Sequence, residues 1–157
     1  MSYTLNGNTV TFEYDADEVF EACALKTAYL SRRVKDDEGK YTGEELVLTK
    51  DEREAFDRCL QESVAGLWGY VGKMCLGGSE GVDREDRVVF KMPGGKGGER
   101  TMKMVDARFF ELLVAGVLCG WFKLCGGANF SGMFEQEFAF GVRALWDDLF
   151  LLRDRGE

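Results

Sequence analysis

Histidine is missing altogether from this 157-residue sequence, and its five cysteines, an odd number, include no C-x-x-C pair. Without imidazole, a zinc site would need four soft ligands at metal spacing, and none is present. Cys23, Cys59, Cys75, Cys119 and Cys125 each lie on or at the end of an apolar helical segment, so they read as reduced, small hydrophobes in a core. No apolar run approaches the ~20 residues that span a bilayer. The opening MSYTLNGNTV has neither a basic region nor an apolar core, so no secretory signal is expected and a reducing cytoplasm is. Positive charge is also short. With 28 acidic against 20 basic residues the net charge is −8, which argues against a nucleic-acid-binding domain of the usual basic kind.

What the chain does have is one stretch, residues 108–125, around which the rest is organised. The eleven residues between Glu111 and Lys123 carry no charge. A helix apolar on nearly every side belongs in a core. A single mainly α domain over 1–157 is expected: a four-helix bundle with an N-terminal β-hairpin and a short β segment between the second and third helices. The predicted helices cover 16–33, 50–75, 101–124 and 130–152, and the strands 3–5, 9–13 and 87–92. Alternation around Asn6-Gly7 signals the hairpin. Asp15 with Glu18, and Thr49 with Glu52, are spaced to cap the first two helices. Gly77-Gly78 and Gly126-Gly127 are placed to stop the second and third, and Asn129 or Ser131 to cap the fourth. Gly66, Gly69 and Gly72, each unfavourable in a helix by about 1 kcal/mol, imply close packing of the second helix, and Gly116-x-x-x-Gly120 offers a flat seam for a neighbour.

Three motifs fail on inspection. The acidic loop 35–48 is interrupted by Lys40 where a calcium loop needs alternating oxygen ligands. The glycine-rich segment 93–98 has Gly97 after its lysine, where a phosphate loop needs Ser or Thr to hold magnesium. No strand precedes Gly66, Gly69 and Gly72, so they form no dinucleotide fingerprint. For catalysis the best candidates are Asp147 and Asp148 near Trp146, or Cys119 beside Trp121. Adjacent helical positions point about 100° apart and do not face each other, so no catalytic, cofactor-binding or metal-binding residue is assigned.

Charge placement points instead to contacts. Residues 36–54 hold eight acids against three bases, a local net of −5, and residues 84–103 hold six bases against three acids, a local net of +3. Unlike patches on one chain suit a head-to-tail contact, which closes into a ring if the rotation allows. The candidate interface comprises Asp36, Asp37, Glu38, Glu44 and Glu45 on one side and Arg87, Lys91, Lys96 and Arg100 on the other. In the fourth helix, five phenylalanines and a tryptophan in about twenty residues exceed what one face can hide; either they close the core or a partner chain covers some of them.

The order of these features carries a resemblance. Asp17-Glu18-Val19-Phe20 followed by Thr27-Ala28-Tyr29, an acidic loop, Thr49-x-Asp51 opening a long helix, a strand, and a helix ending Trp121-Phe122-Lys123 resembles small proteins from the structural gene blocks of Bacteroides phages and prophages. Those lie where other tailed phages keep head-tail connector, or neck, proteins. The likeness implies an α bundle with a β-ribbon arm that assembles into a ring and has no active site. Its partners would be itself and neighbouring portal or tail proteins, with no membrane and no sequence-specific nucleic acid, and its place the host cytoplasm and then the virion. The glycine-rich segment 93–98 and an arginine-poor fourth helix depart from the pattern. The alternative from charge alone is an acidic adaptor or inhibitor docking on a basic partner through residues 36–54.

Overall fold

The computed structural model describes residues 3–35, 38–40, 43–75, 87–94 and 98–154. Among them are four α-helices, α1 (Ala16–Ser31), α2 (Arg53–Val71), α3 (Gly98–Cys125) and α4 (Ala128–Asp154), and three strands, β1 (Tyr3–Asn6), β2 (Thr9–Asp15) and β3 (Arg87–Pro93). The fold is mainly helical, with the N-terminal hairpin and the short strand between α2 and α3 where the sequence places them. Short 3-10 turns cover Gly43–Leu46, Lys50–Glu52 and Gly72–Met74.

The centre is α3, 28 residues and about 42 Å long at 1.5 Å per residue. None of its uncharged residues 112–122 is exposed. The sheet covers its N-terminal half: Phe90 stacks on Phe109 at 4.5 Å between centroids, and Phe12 adds a tilted contact at 5.3 Å. Tyr14 anchors the same joint, its hydroxyl donating to the Asp106 carbonyl at 2.8 Å and lying 3.0 Å from the Asp106 carboxylate. On another side α2 presses into the glycine seam. A Cβ at Gly116 would overlap Ser63, and one at Gly120 would crowd Cys59 Sγ at 3.3 Å. Ser63 Oγ uses the approach to donate to the Leu113 carbonyl at 3.2 Å. The Gly116/Gly120 expectation therefore holds, with α2 as the neighbour.

Gly126, at φ 85°, ends α3 in a conformation that favours glycine, and the Gly127 N–H closes the turn on the Phe122 carbonyl at 2.8 Å. The chain then runs back as α4, whose buried side, including Phe134, Leu145, Leu149 and Leu152, lies on α3. Phe122 stacks on Phe134 at 5.8 Å, and Gly141 leaves room for Leu112. The last side is closed by the segment between α1 and α2. The Trp121 indole donates to the Leu46 carbonyl at 2.8 Å, and buried Thr27 accepts the Leu48 N–H at 2.9 Å. Arg53 joins α1 to α2, bonding Asp17 at 2.7 Å and Asp57 at 3.0 Å while lying over Phe20 and Phe56. The Thr49–Glu52 cap forms, with the Thr49 N–H donating to Glu52 at 3.0 Å.

Several expectations need correction. The hairpin turns at Gly7-Asn8, with Gly7 at φ 64°, while Asn6 still pairs with Thr9 in the ladder. The ribbon is no projecting arm, because β3 pairs antiparallel with β2 from Thr9↔Pro93 to Asp15↔Arg87 and the three-stranded sheet buries Val10, Phe12 and Tyr14. Of the glycines in 66–72, Gly66 and Gly69 are exposed, a Cβ at Gly66 would reach Phe138 of α4 only at an ordinary 3.9 Å, and one at Gly72 would crowd Trp68 four residues back, so none marks a close approach of a neighbouring helix. Neither Asn129 nor Ser131 precedes α4. Both are inside its first turn, and Ser131 Oγ donates to the Cys119 carbonyl at 3.1 Å instead. α1 stops at Ser31, two residues early, and α3 begins at Gly98, three residues early. The Gly77-Gly78 stop lies outside the described residues.

Candidate interaction surfaces

Among the described candidates, Glu44 and Glu45 sit at one end of α3 and Arg100 at the other. Glu44 and Glu45 are exposed on the 3-10 turn whose last residue, Leu46, is bonded to Trp121. Arg100 is exposed in the first turn of α3, which places the two ends about 30 Å apart along the helix. None of Glu44, Glu45 and Arg100 has an ion-pair partner among the described residues. Glu38 is exposed, Lys91 is half-buried on β3, and Asp36, Asp37 and Lys96 lie outside the described residues. Part of the basic charge is matched locally, since Arg87 pairs with Glu13 at 3.5 Å and Lys103 with Glu99 at 3.2 Å.

The catalytic candidates separate as helix geometry requires. Asp147 is exposed, whereas Asp148 is buried against Arg108, Nε to Oδ2 at 3.9 Å. That distance is too long for a hydrogen bond, and both atoms are buried without another partner. Burial raises the Asp148 carboxyl above the ordinary range, Arg108 opposes the rise and Asp147 adds to it. No sequence signal marks this pair, because 40 positions separate its members. Burial also keeps thiols protonated, holding Cys23 and Cys75 at about 12 and Cys59 at about 11. A thiol in that state is a poor nucleophile. Cys119 lies 3.8 Å from Ser131 Oγ.

Exposed large apolar side chains occur on every helix, Leu25 and Leu124 among them, and α4 carries four. Phe140 is 69% exposed, and Met133, Phe150 and Leu151 between 41% and 45%. α4 stands as a ridge between two clefts. One, of about 610 Å³, lies between α1, α3 and α4, floored by Leu112 and Ala115 and rimmed by Lys26, Arg108, Glu111 and Glu137. The other, of about 620 Å³, lies between α2 and α4 and is walled by Tyr70, Val142 and Trp146. Trp146 holds Phe150 edge-on at 5.7 Å, so one of the exposed rings is already oriented. Among the described residues no helix is long and apolar enough to cross a membrane. No protein-family model, no curated protein and no solved structure matches this chain.

Proposed function

We propose that this chain is a non-enzymatic structural protein of a phage head-tail junction that builds a ring through head-to-tail contacts. The observation that supports the reading is the separation of unpartnered charge: Glu44 and Glu45 at one end of α3, Arg100 at the other. At about 30 Å the two ends cannot neutralise each other within one copy, but they can between copies arranged end to end, the heterologous geometry from which rings are made. Asp147 is exposed and Asp148 buried, so the two carboxylates do not converge on one cleft, which favours an assembly role over an acid–base one. The phage setting comes from the sequence resemblance.

The test is the company the gene keeps together with the content of the particles. Capsid, portal and tail genes on either side, and the chain present in purified tailed particles by mass spectrometry, are the expected results. A flanking toxin or nuclease gene, with the chain absent from particles and bound to that product, would replace this reading with the acidic inhibitor.

A further inference from the structure

The solvent face of α4 carries a second pattern, independent of the charged ends of α3. Gln136, Phe140, Arg143, Asp147 and Phe150 follow one another at spacings of 4, 3, 4 and 3 residues, and all are exposed. At 3.6 residues per turn the last four fall within about 80° of arc. This is the spacing of a helix that packs along another helix. Opposite it, Val142, Leu145, Leu149 and Leu152 are buried on the domain's own core, so the helix covers one face and leaves two phenylalanines, interleaved with charge, open on the other.

The composition of the open face selects its occupant. Lay a second α4 antiparallel across a twofold axis passing level with Leu145. Residues whose numbers sum to 290 then meet: Arg143 faces Asp147 of the second copy, Asp147 faces its Arg143, and each Phe140 faces a Phe150. An isologous contact needs this self-complementarity, each residue meeting a partner whose own counterpart returns the contact. Within one chain the same Arg143 and Asp147, one turn apart, make no ion pair, and neither has a charged partner among the described residues. Arginine preceding an acid is the weaker order for a pair on one helix. Between antiparallel helices that order carries no penalty. Trp146 and Ala144 flank the axis, Trp146 being half-buried and in contact with Phe150.

We propose that the outer face of α4 is a self-association surface, on which two copies of this chain pair antiparallel through Phe140–Phe150 contacts and reciprocal Arg143–Asp147 ion pairs. The contact uses none of the residues of the head-to-tail proposal, so the two stand or fall separately. Sedimentation equilibrium tests it with the wild-type chain, Arg143→Glu, Asp147→Arg and the double reversal, each checked for an unchanged melting temperature. The wild type dimerises. Each single reversal sets like charges opposite each other twice per dimer and weakens association at least about tenfold. The double reversal restores complementarity and returns the constant to within about threefold of wild type. A wild type that stays monomeric to about 1 mM, a dimer indifferent to the single reversals, or a double variant no tighter than the singles would each overturn the proposal.

Discussion

The two long helices α3 and α4 differ by one residue in length, 28 against 27, and both are rich in large apolar side chains, yet the protein treats them differently. α3 is covered by the sheet, α1, α2 and α4, so an uncharged run of eleven residues has nothing exposed. α4 lies chiefly on α3, and most of its opposite side is open, with Phe140 on it. Apolar composition alone therefore does not say whether a side chain serves folding. What decides is how many elements reach that face, and on α4 the supply of elements ends before the supply of apolar side chains does.

Substitutions break or sharpen this contrast. The largest effect is on α3: Trp121→Ala removes a buried indole and its bond to Leu46 and lowers stability by about 3–5 kcal/mol in urea melts. Trp121→Phe, which keeps most of the packing, isolates the hydrogen bond at about 1 kcal/mol. Gly116→Ala forces a methyl into Ser63 and destabilises by about 1–3 kcal/mol. The matching change on the open side of α4, Gly132→Ala, meets nothing within 4 Å and should stabilise by up to about 1 kcal/mol through helix propensity. If both glycine changes cost alike, the two helices are equally covered and the contrast fails. Asp148 tests the seam between the helices through pH. Its carboxyl is raised in the folded state, so the folded chain holds its proton longer than the unfolded chain. Stability is lost as pH rises from about 4, the unfolded value, through the raised folded value. Asp148→Asn removes that loss, so the variant gains on the wild type as pH rises above about 4 in paired melts. Phe140→Ser, smallest of all, leaves stability of the monomer within about 0.5 kcal/mol despite deleting an aromatic ring.

The central helix was legible because absence of charge over eleven residues has few other physical meanings, and Gly126-Gly127 marked its end through a backbone conformation that favours glycine. The pairing of β3 with β2 was not legible. The strands are joined across more than 70 residues, and nothing local in Arg87–Pro93 names its partner. The glycines at 66–72 misled for a related reason: loss of helix propensity is the same whether the missing side chain makes room for a neighbour or faces water. Of the candidate site, the charges at Glu44, Glu45 and Arg100 were readable as composition, but their separation along α3 required the bond from Trp121 to Leu46. The surplus of aromatics on α4 was visible as a count, and only the fold shows which of them the core declines.

Hydroxyl-radical footprinting across a dilution series tests most directly whether the open face of α4 is an association surface. Phe140 and Phe150 should oxidise far faster than buried Phe109 and Phe122 in dilute protein, and become protected together as concentration rises, while Leu25, 74% exposed on α1, stays reactive throughout. A Phe140 that is already unreactive in dilute protein, or one that stays reactive in concentrated protein, would contradict the account.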